Sequence, residues 1–351
     1  VERYVDLLER EMGSWAGLGS LSRRPLSTVH LGGGTPTVLG EEPLERLVLS
    51  LRALFVDDPA TEWALESSVV DLPEGMLNCL HALGFRRLHV GVQSLDDSIR
   101  SRVRRRAAAV EVLKRLAAAI GMGWTVSVDL IYGLPGQTLL SLLQDIRILA
   151  DLGVHGFSLY ELQRSRRNRR FIQESGLHRQ DRTERYWMAQ ACAQLLTSLG
   201  YPKTLFNHFA SHKDTNLYFT FPTRGEDLLA LGAISDGSFG NYHYQHPQYA
   251  AYCRATSERP PGLKGGLRRN RAEDRLMPLT TALLSGTVPV SLLSDLVEPR
   301  LVRLWRDLEL LGDDPGTEQL RLTGNGSWFV GNMISDLLDK AAEDRGDDGS
   351  G

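Results

Sequence analysis

Residues 28–37 read TVHLGGGTPT, a short β-branched strand pattern that runs into three glycines and a Thr-Pro turn. Gly32, Gly33 and Gly34 carry no Cβ, so the backbone there can take positive φ and lie directly against a ligand. Pro36 stiffens the exit ahead of a helix predicted from Glu41 to Phe55. A strand that ends in a bare, N–H-rich loop at the approach to a helix is built for a ligand's polar groups.

The same alternation continues on both sides of this loop. Strands are predicted at Thr28–Leu31, Glu62–Glu66, Leu88–Gln93, Thr125–Ile131 and Gly156–Leu162. Helices are predicted at Val1–Met12, Glu41–Phe55, Glu74–Leu83, Val110–Ile120 and Leu139–Leu152, the last two with apolar residues at i, i+3, i+4 spacing. Punctuation falls between them, as in Gly133-Leu134-Pro135-Gly136. Repeated βα units imply a parallel sheet or barrel with right-handed crossovers. Thr35, Glu66, Gln93, Asp129 and Tyr160 stand near successive strand ends, 31, 27, 36 and 31 residues apart. In a parallel barrel those ends converge on one mouth, so five polar groups in phase predict one shared site.

Beyond residue 175 the pattern changes. A helix is predicted over Thr183–Leu199, then an aromatic stretch over Lys203–Tyr249 and a Pro-, Gly- and Arg-containing linker over Pro260–Arg271. Helices follow at Glu273–Leu284 and Pro299–Leu311. Leu320–Thr323, a Gly-Asn-Gly turn and an apolar helix to Leu338 close the pattern. Helices with a short β-turn-helix element resemble a winged-helix-like unit, and the acidic tail from Ala342 is expected to be disordered. Composition is ordinary for a globular chain of 351 residues, 42% hydrophobic and 24% charged. A net charge of −3 gives no case for a nucleic-acid partner. No apolar run reaches the roughly 18 residues of a membrane span and no signal peptide is visible, so a cytoplasmic protein with no membrane partner is expected. Cys79, Cys192 and Cys253 are too widely spaced for a metal site or a disulfide framework; the first two read as small buried apolar residues.

The motifs LGGGTPT (31–37), WALES (63–67), HVGVQS (89–94) and VDLIYGLPGQT (128–138), with LRLTGNGSWFVGNMISDLL (320–338), resemble a known family. It is the oxygen-independent coproporphyrinogen III oxidase-like branch of radical S-adenosylmethionine enzymes. The resemblance implies an α/β fold, a partial (β/α)6 TIM-like barrel holding S-adenosylmethionine and a 4Fe–4S cluster, with a C-terminal helical, winged-helix-like accessory domain. It implies cofactor contacts at Gly33, Gly34, Thr35, Glu66, Gln93, Arg105 and Asp129. The division expected is a barrel over 1–175, its completion and substrate side over 176–259, the accessory unit over 260–341 and the tail over 342–351.

Two departures from the family pattern shape the expectation. The CxxxCxxC motif that ligates the cluster is not in the chain, whose first residue is Val1. The chain is therefore expected either to lack an N-terminal segment or to be a natural cluster-less relative, and to generate no radical by itself. The HNxxYW-like segment of the family's haem chaperones is replaced by Asp214-Thr215-Asn216-Leu217-Tyr218-Phe219. That change favours C-methylation or methylene transfer on an aromatic, conjugated or tetrapyrrole substrate. The alternatives are an oxygen-independent coproporphyrinogen III oxidase, a haem-degrading tetrapyrrole enzyme, and a haem-binding chaperone without turnover. Candidate substrate contacts are Tyr160, Gln163, His208, Asn216 and Tyr218, with His208 either a proton donor or, as a lone histidine more often is, a structural residue. The aromatic stretch Tyr242–His246 either stacks on a flat substrate or covers the barrel mouth. Arg164, Arg166, Arg167, Arg169 and Arg170 form either a solvated charge run or an anion clamp. An electron donor such as flavodoxin or ferredoxin is the implied protein partner.

Overall fold

Alternation of β-branched and polar residues decides which way each strand faces. In a computed structural model, which describes residues 1–18, 21–56, 58–163, 165, 166, 172, 176–254 and 262–343, the predicted strands form one curled sheet. Strands β1 (Thr28–Leu31), β2 (Glu62–Ser67), β3 (Arg87–Gln93), β4 (Thr125–Tyr132) and β5 (Gly156–Glu161) pair in parallel. An antiparallel hairpin, β6 (Lys203–Leu205) and β7 (His208–Ala210), closes the edge and gives the order β1-β2-β3-β4-β5-β7-β6. The result is a partial barrel.

Helices α1 (Glu2–Ala16), α2 (Glu41–Leu54), α3 (Glu74–Ala82), α4 (Asp97–Arg102), α5 (Ala109–Gly121), α6 (Leu139–Asp151) and α7 (Arg182–Ser198) accompany the sheet. Val90, Val92, Val126, Val128 and Phe157 on the outer face are fully buried in a core that includes Leu44, Leu77, Leu116 and Ile146 of the helices. Each such side chain contributes about 1.5–3 kcal/mol of apolar burial. The opposite face of the same strands carries polar residues, so the barrel interior is not part of this core.

A second antiparallel sheet, β8 (Asp236–Phe239), β9 (Tyr242–Gln245) and β10 (Gly265–Arg268), stands beside the barrel with α8 (Leu217–Thr223) and α9 (Tyr249–Tyr252). The stretch expected to be a linker therefore contains a strand: Gly265 and Gly266 are flat enough to pair along β9. Buried Glu11 clasps this sheet to α1, accepting from Tyr252 Oη at 2.6 Å and Gly232 N at 3.0 Å and meeting His246. Tyr244 and His246 are thus packing residues, whereas Tyr242 is 55% exposed.

The C-terminal unit runs α10 (Arg271–Ser285), β11 (Thr287–Pro289), α11 (Val290–Leu296), α12 (Pro299–Asp307), β12 (Leu311–Asp313), β13 (Gln319–Leu322) and α13 (Gly324–Glu343). With the sheet order β11-β13-β12 this is the winged-helix arrangement, and its core around Leu279, Val288, Trp305 and Met333 is separate from that of the barrel. Two local expectations are corrected. Leu311 belongs to β12 rather than to the preceding helix. Gly324-Asn325-Gly326 is the first turn of α13, because the Thr323 hydroxyl accepts from Gly326 N at 3.0 Å and starts the helix there. The acidic tail begins within α13, and residues 344–351 lie outside the described residues. Among the described residues no helix is long and apolar enough to cross a membrane.

Candidate functional site

The barrel interior is built in two polar layers. The lower one lies at the strands' N-terminal ends. Arg87 reaches Asp214 Oδ1 through Nε (3.0 Å) and Nη2 (2.6 Å) and donates to Ser127 Oγ at 3.0 Å. His208 Nε2 meets Asp214 Oδ2 at 3.0 Å, and its Nδ1 meets Ser158 Oγ at 2.9 Å. Burial alone would raise the Asp214 carboxyl, but the His208 hydrogen bond and the Arg87 charge outweigh it and pull it to about 2. Gly156 makes this closure possible, since a Cβ there would stand 2.0 Å from Asp214 Oδ2. Thr215 Oγ1 adds a bond to Glu62 Oε2 at 2.5 Å. Of the two readings of His208 the structural one is what the geometry carries: both ring nitrogens are committed, and the side chain is held in a satisfied ionic network.

The upper layer lies at the C-terminal ends. Glu66 Oε1 is 3.1 Å from His30 Nε2, and Glu66 Oε2 accepts from Gly33 N at 3.4 Å. Burial works against ionisation of Glu66, yet the His30 hydrogen bond, the nearby histidines and the Gly33 N–H together hold it below the usual carboxylate range. His89 Nε2 lies 2.5 Å from Asp129 Oδ1. Burial, then the charge of Asp129, push the Tyr160 hydroxyl up to about 12, which places Tyr160 beside that carboxylate. Gly33 and Gly34 take φ of +77° and +107°, and a Cβ on either would meet no heavy atom within 4 Å. The glycine loop is an open cradle held in a conformation that side chains disfavour. The Thr37 hydroxyl, 2.7 Å from Ser67 Oγ, pins the loop to β2, while Thr35 heads the 3-10 turn Pro36–Leu39 with no capping bond of its own.

Gln93 sits at the register shift that ends β3 and has φ of +71°, unusual for a residue with a side chain. Arg100 of α4 supplies the restraint: its Nη1 donates to Val92 O (2.8 Å) and Ser94 O (2.7 Å), on either side of Gln93. Asp145 of α6 holds the next turn, accepting from Ser94 Oγ at 2.9 Å and Leu95 N at 3.0 Å. Gly91 leaves room here. A Cβ on it would come 2.8 Å from Gln93 Nε2 and 3.5 Å from Arg105 Nη2, so Gln93 and Arg105 share one corner of the mouth.

The candidate substrate residues divide between two cavities. Tyr218 stacks on His30 with ring centroids 4.0 Å apart and planes 4° from parallel. With Phe219, Tyr244, His243, Asp236 and Lys264 it lines a cavity of about 750 Å³ under β8, β9 and β10. Tyr160 and Gln163 instead line a cleft of about 1590 Å³ between α7, β6 and the C-terminal unit. Lys203 also faces that cleft, its amine drawn down to about 8 by burial. Asn216 is buried, left-handed at φ +43°, and its Oδ1 has no partner among the described residues. Arg164, Arg167, Arg169 and Arg170 lie outside the described residues. Sequence reasoning missed His30, His89 and Arg100; the two histidines were detectable as alternate, inward-facing positions on strands already assigned.

The donor set fits S-adenosylmethionine: fixed carboxylates for ammonium or hydroxyl donors, and an open backbone cradle for a polar end. It does not fit an iron–sulfur cluster. Cys79, Cys192 and Cys253 are single thiols, burial pushes Cys192 up to about 12, and no group of three metal-ligating side chains occurs among the described residues.

Residues 3–149 match the family profile of the radical SAM superfamily. The chain is 25% identical over 350 residues to the anaerobilin synthase of Escherichia coli O157:H7, covering 95% of this chain and 76% of that protein. It is 34% identical over 164 residues to the heme chaperone HemW of Bacillus subtilis, covering 46% of this chain and 43% of the chaperone. Among solved structures, the coproporphyrinogen III oxidase HemN of Escherichia coli superposes with a TM-score of 0.81 at 23% identity, over 96% of this chain and 82% of that one.

Proposed function

We propose that this chain, whose residues 3–149 match the radical SAM family profile, binds S-adenosylmethionine in the upper layer of its barrel and acts on a tetrapyrrole macrocycle. The observation that carries the substrate class is the aromatic wall beside the cofactor cradle. Tyr218 covers His30, which holds Glu66, so a flat conjugated ring in the 750 Å³ cavity would lie next to the cofactor's contacts. The names of the relatives support the same class. C-methylation or methylene transfer, favoured from the altered 214–219 segment, finds no support among those relatives and gives way to this reading.

Together with a cluster, S-adenosylmethionine would supply radical chemistry able to remove hydrogen from an unactivated carbon. The chain's own residues do the positioning. Gly33 and Gly34 admit the cofactor's polar end, Glu66 and Asp129 accept its donors, and Gln93 and Arg105 close the corner beside Gly91. The apolar faces of Tyr218 and Phe219 keep water from the reacting carbon. No cluster ligand is assigned within this chain. An electron donor protein belongs to the proposal only as the class of partner such chemistry needs.

Absorbance titration of the chain with coproporphyrin III tests the substrate class. A saturable Soret shift at micromolar concentration is expected, weakened about tenfold in Tyr218→Ser. Absence of any spectral change would overturn the tetrapyrrole reading. Haem binding that is indifferent to S-adenosylmethionine and to Tyr218→Ser would favour a carrier.

A further inference from the structure

Two histidines of the barrel interior belong neither to the apolar core nor to the expected cofactor contacts. The side chains of His30 on β1 and His89 on β3 are each only 5% exposed. Each presents Nε2 to a carboxylate of the upper layer, His30 to Glu66 and His89 to Asp129. An ionised carboxylate only accepts, so Nε2 carries a hydrogen in both rings. Both Nδ1 atoms are buried and have no partner among the described residues. A histidine kept only for stability would have its second nitrogen satisfied, as His208 has in the layer below. Asp129 takes no other bond from a described residue, so His89 fixes one oxygen and leaves the other free. At Glu66 the arrangement is the same, except that the second oxygen also reaches the Gly33 N–H of the cradle.

We propose that His30 and His89 are positioning residues that hold the Glu66 and Asp129 carboxylates in the orientation that receives the donor groups of S-adenosylmethionine. This rests on the cofactor placement proposed above. The effect is preorganisation: an acceptor fixed before binding loses no rotamer freedom when the ligand arrives. The charged groups that meet the pair are Glu66 of β2 at His30 and Asp129 of β4 at His89. Tyr218 of α8 stacks on His30, with Phe219 edge-on beside it.

Equilibrium dialysis of radiolabelled S-adenosylmethionine against the whole chain, in a double-mutant cycle of His89→Ala and Asp129→Asn, tests the inference. His89→Ala is expected to weaken binding about tenfold in the wild-type background and less than about twofold once Asp129→Asn is present. His89→Gln, which keeps an amide donor, should restore most of the affinity, and the ligand-free melting temperature should not follow the affinities. Equal losses in both backgrounds, or no loss from His89→Ala, would overturn the positioning role. If Asp129→Asn by itself leaves binding unchanged, the cofactor placement fails and the inference fails with it, a result distinct from the first. Should His89→Ala not fold, His89→Phe, which fills the ring's space without a donor, completes the same cycle with Asp129→Asn, as does His30→Phe paired with Glu66→Gln.

Discussion

The two polar layers of the barrel use the same strands and the same residue types, and they differ in what is left over. Below, Arg87, Asp214, His208 and Ser158 consume one another's hydrogen-bonding capacity, and Asp214 has no exposed side-chain surface. Above, Glu66 and Asp129 keep 28% and 21% of their side chains exposed, each tied by one histidine with an idle nitrogen. Saturation marks a floor that closes the barrel. Incomplete saturation marks the surface that waits for a ligand.

The largest effect expected from this contrast is on the floor. Arg87→Met leaves the Asp214 charge buried beside a single histidine, and should cost about 3–5 kcal/mol in urea denaturation. Asp129→Asn in the upper layer should leave unfolding within about 0.5 kcal/mol while weakening S-adenosylmethionine binding by about 1.5–3 kcal/mol. If both variants destabilise alike, the two layers are one structural network and the distinction fails. Acid sharpens the contrast next. Because the folded-state pKa of Asp214 is depressed, its contribution of about 2 kcal/mol is present above the unfolded value and lost as pH falls from about 4 towards 2. The stability gap between wild type and Asp214→Asn should narrow over that interval.

A smaller effect is expected at the cradle, where Gly34→Ala meets no steric obstacle but must hold φ of +107°. It should cost about 1–2 kcal/mol, read as weaker cofactor binding, as altered melting, or as both. The smallest is Gln93→Gly. Relief of the strained backbone should raise stability by up to about 1 kcal/mol while cofactor affinity falls, an opposition of sign that a purely structural residue would not give.

Much of the upper layer was legible because strand ends one βα period apart announce a common mouth. Glu66, Asp129 and Tyr160 are brought together there, and Gln93 with Arg105 closes one corner. The floor was not legible. His208, left by the sequence between a proton donor and a structural residue, is fixed by Asp214 and Ser158, with Arg87 on the same carboxylate, only after the β6–β7 hairpin folds back onto β5. Helix α4 was not predicted, because Asp97–Arg102 holds a single large apolar residue, Ile99, and so shows no helical apolar period. Its Arg100 is 2% exposed, with its hydrogen bonds spent on the carbonyls around Gln93. Strand β10 was missed because glycines in a basic stretch resemble a linker until a partner strand supplies the ladder. In each case a long-range partner, invisible to local pattern, decided the outcome.

The residues from Asp214 to Phe219 cross from one layer to the other, and the left-handed Asn216 is the joint between their halves. Before it, Asp214 and Thr215 are bolted to β3 and β2; after it, Tyr218 rests on a single ring face. The stretch is therefore a ready-made module. Residues 217–219 can be exchanged as a cassette to change the aromatic lining of the cavity, provided 214–216 are carried over unchanged as the hinge pin.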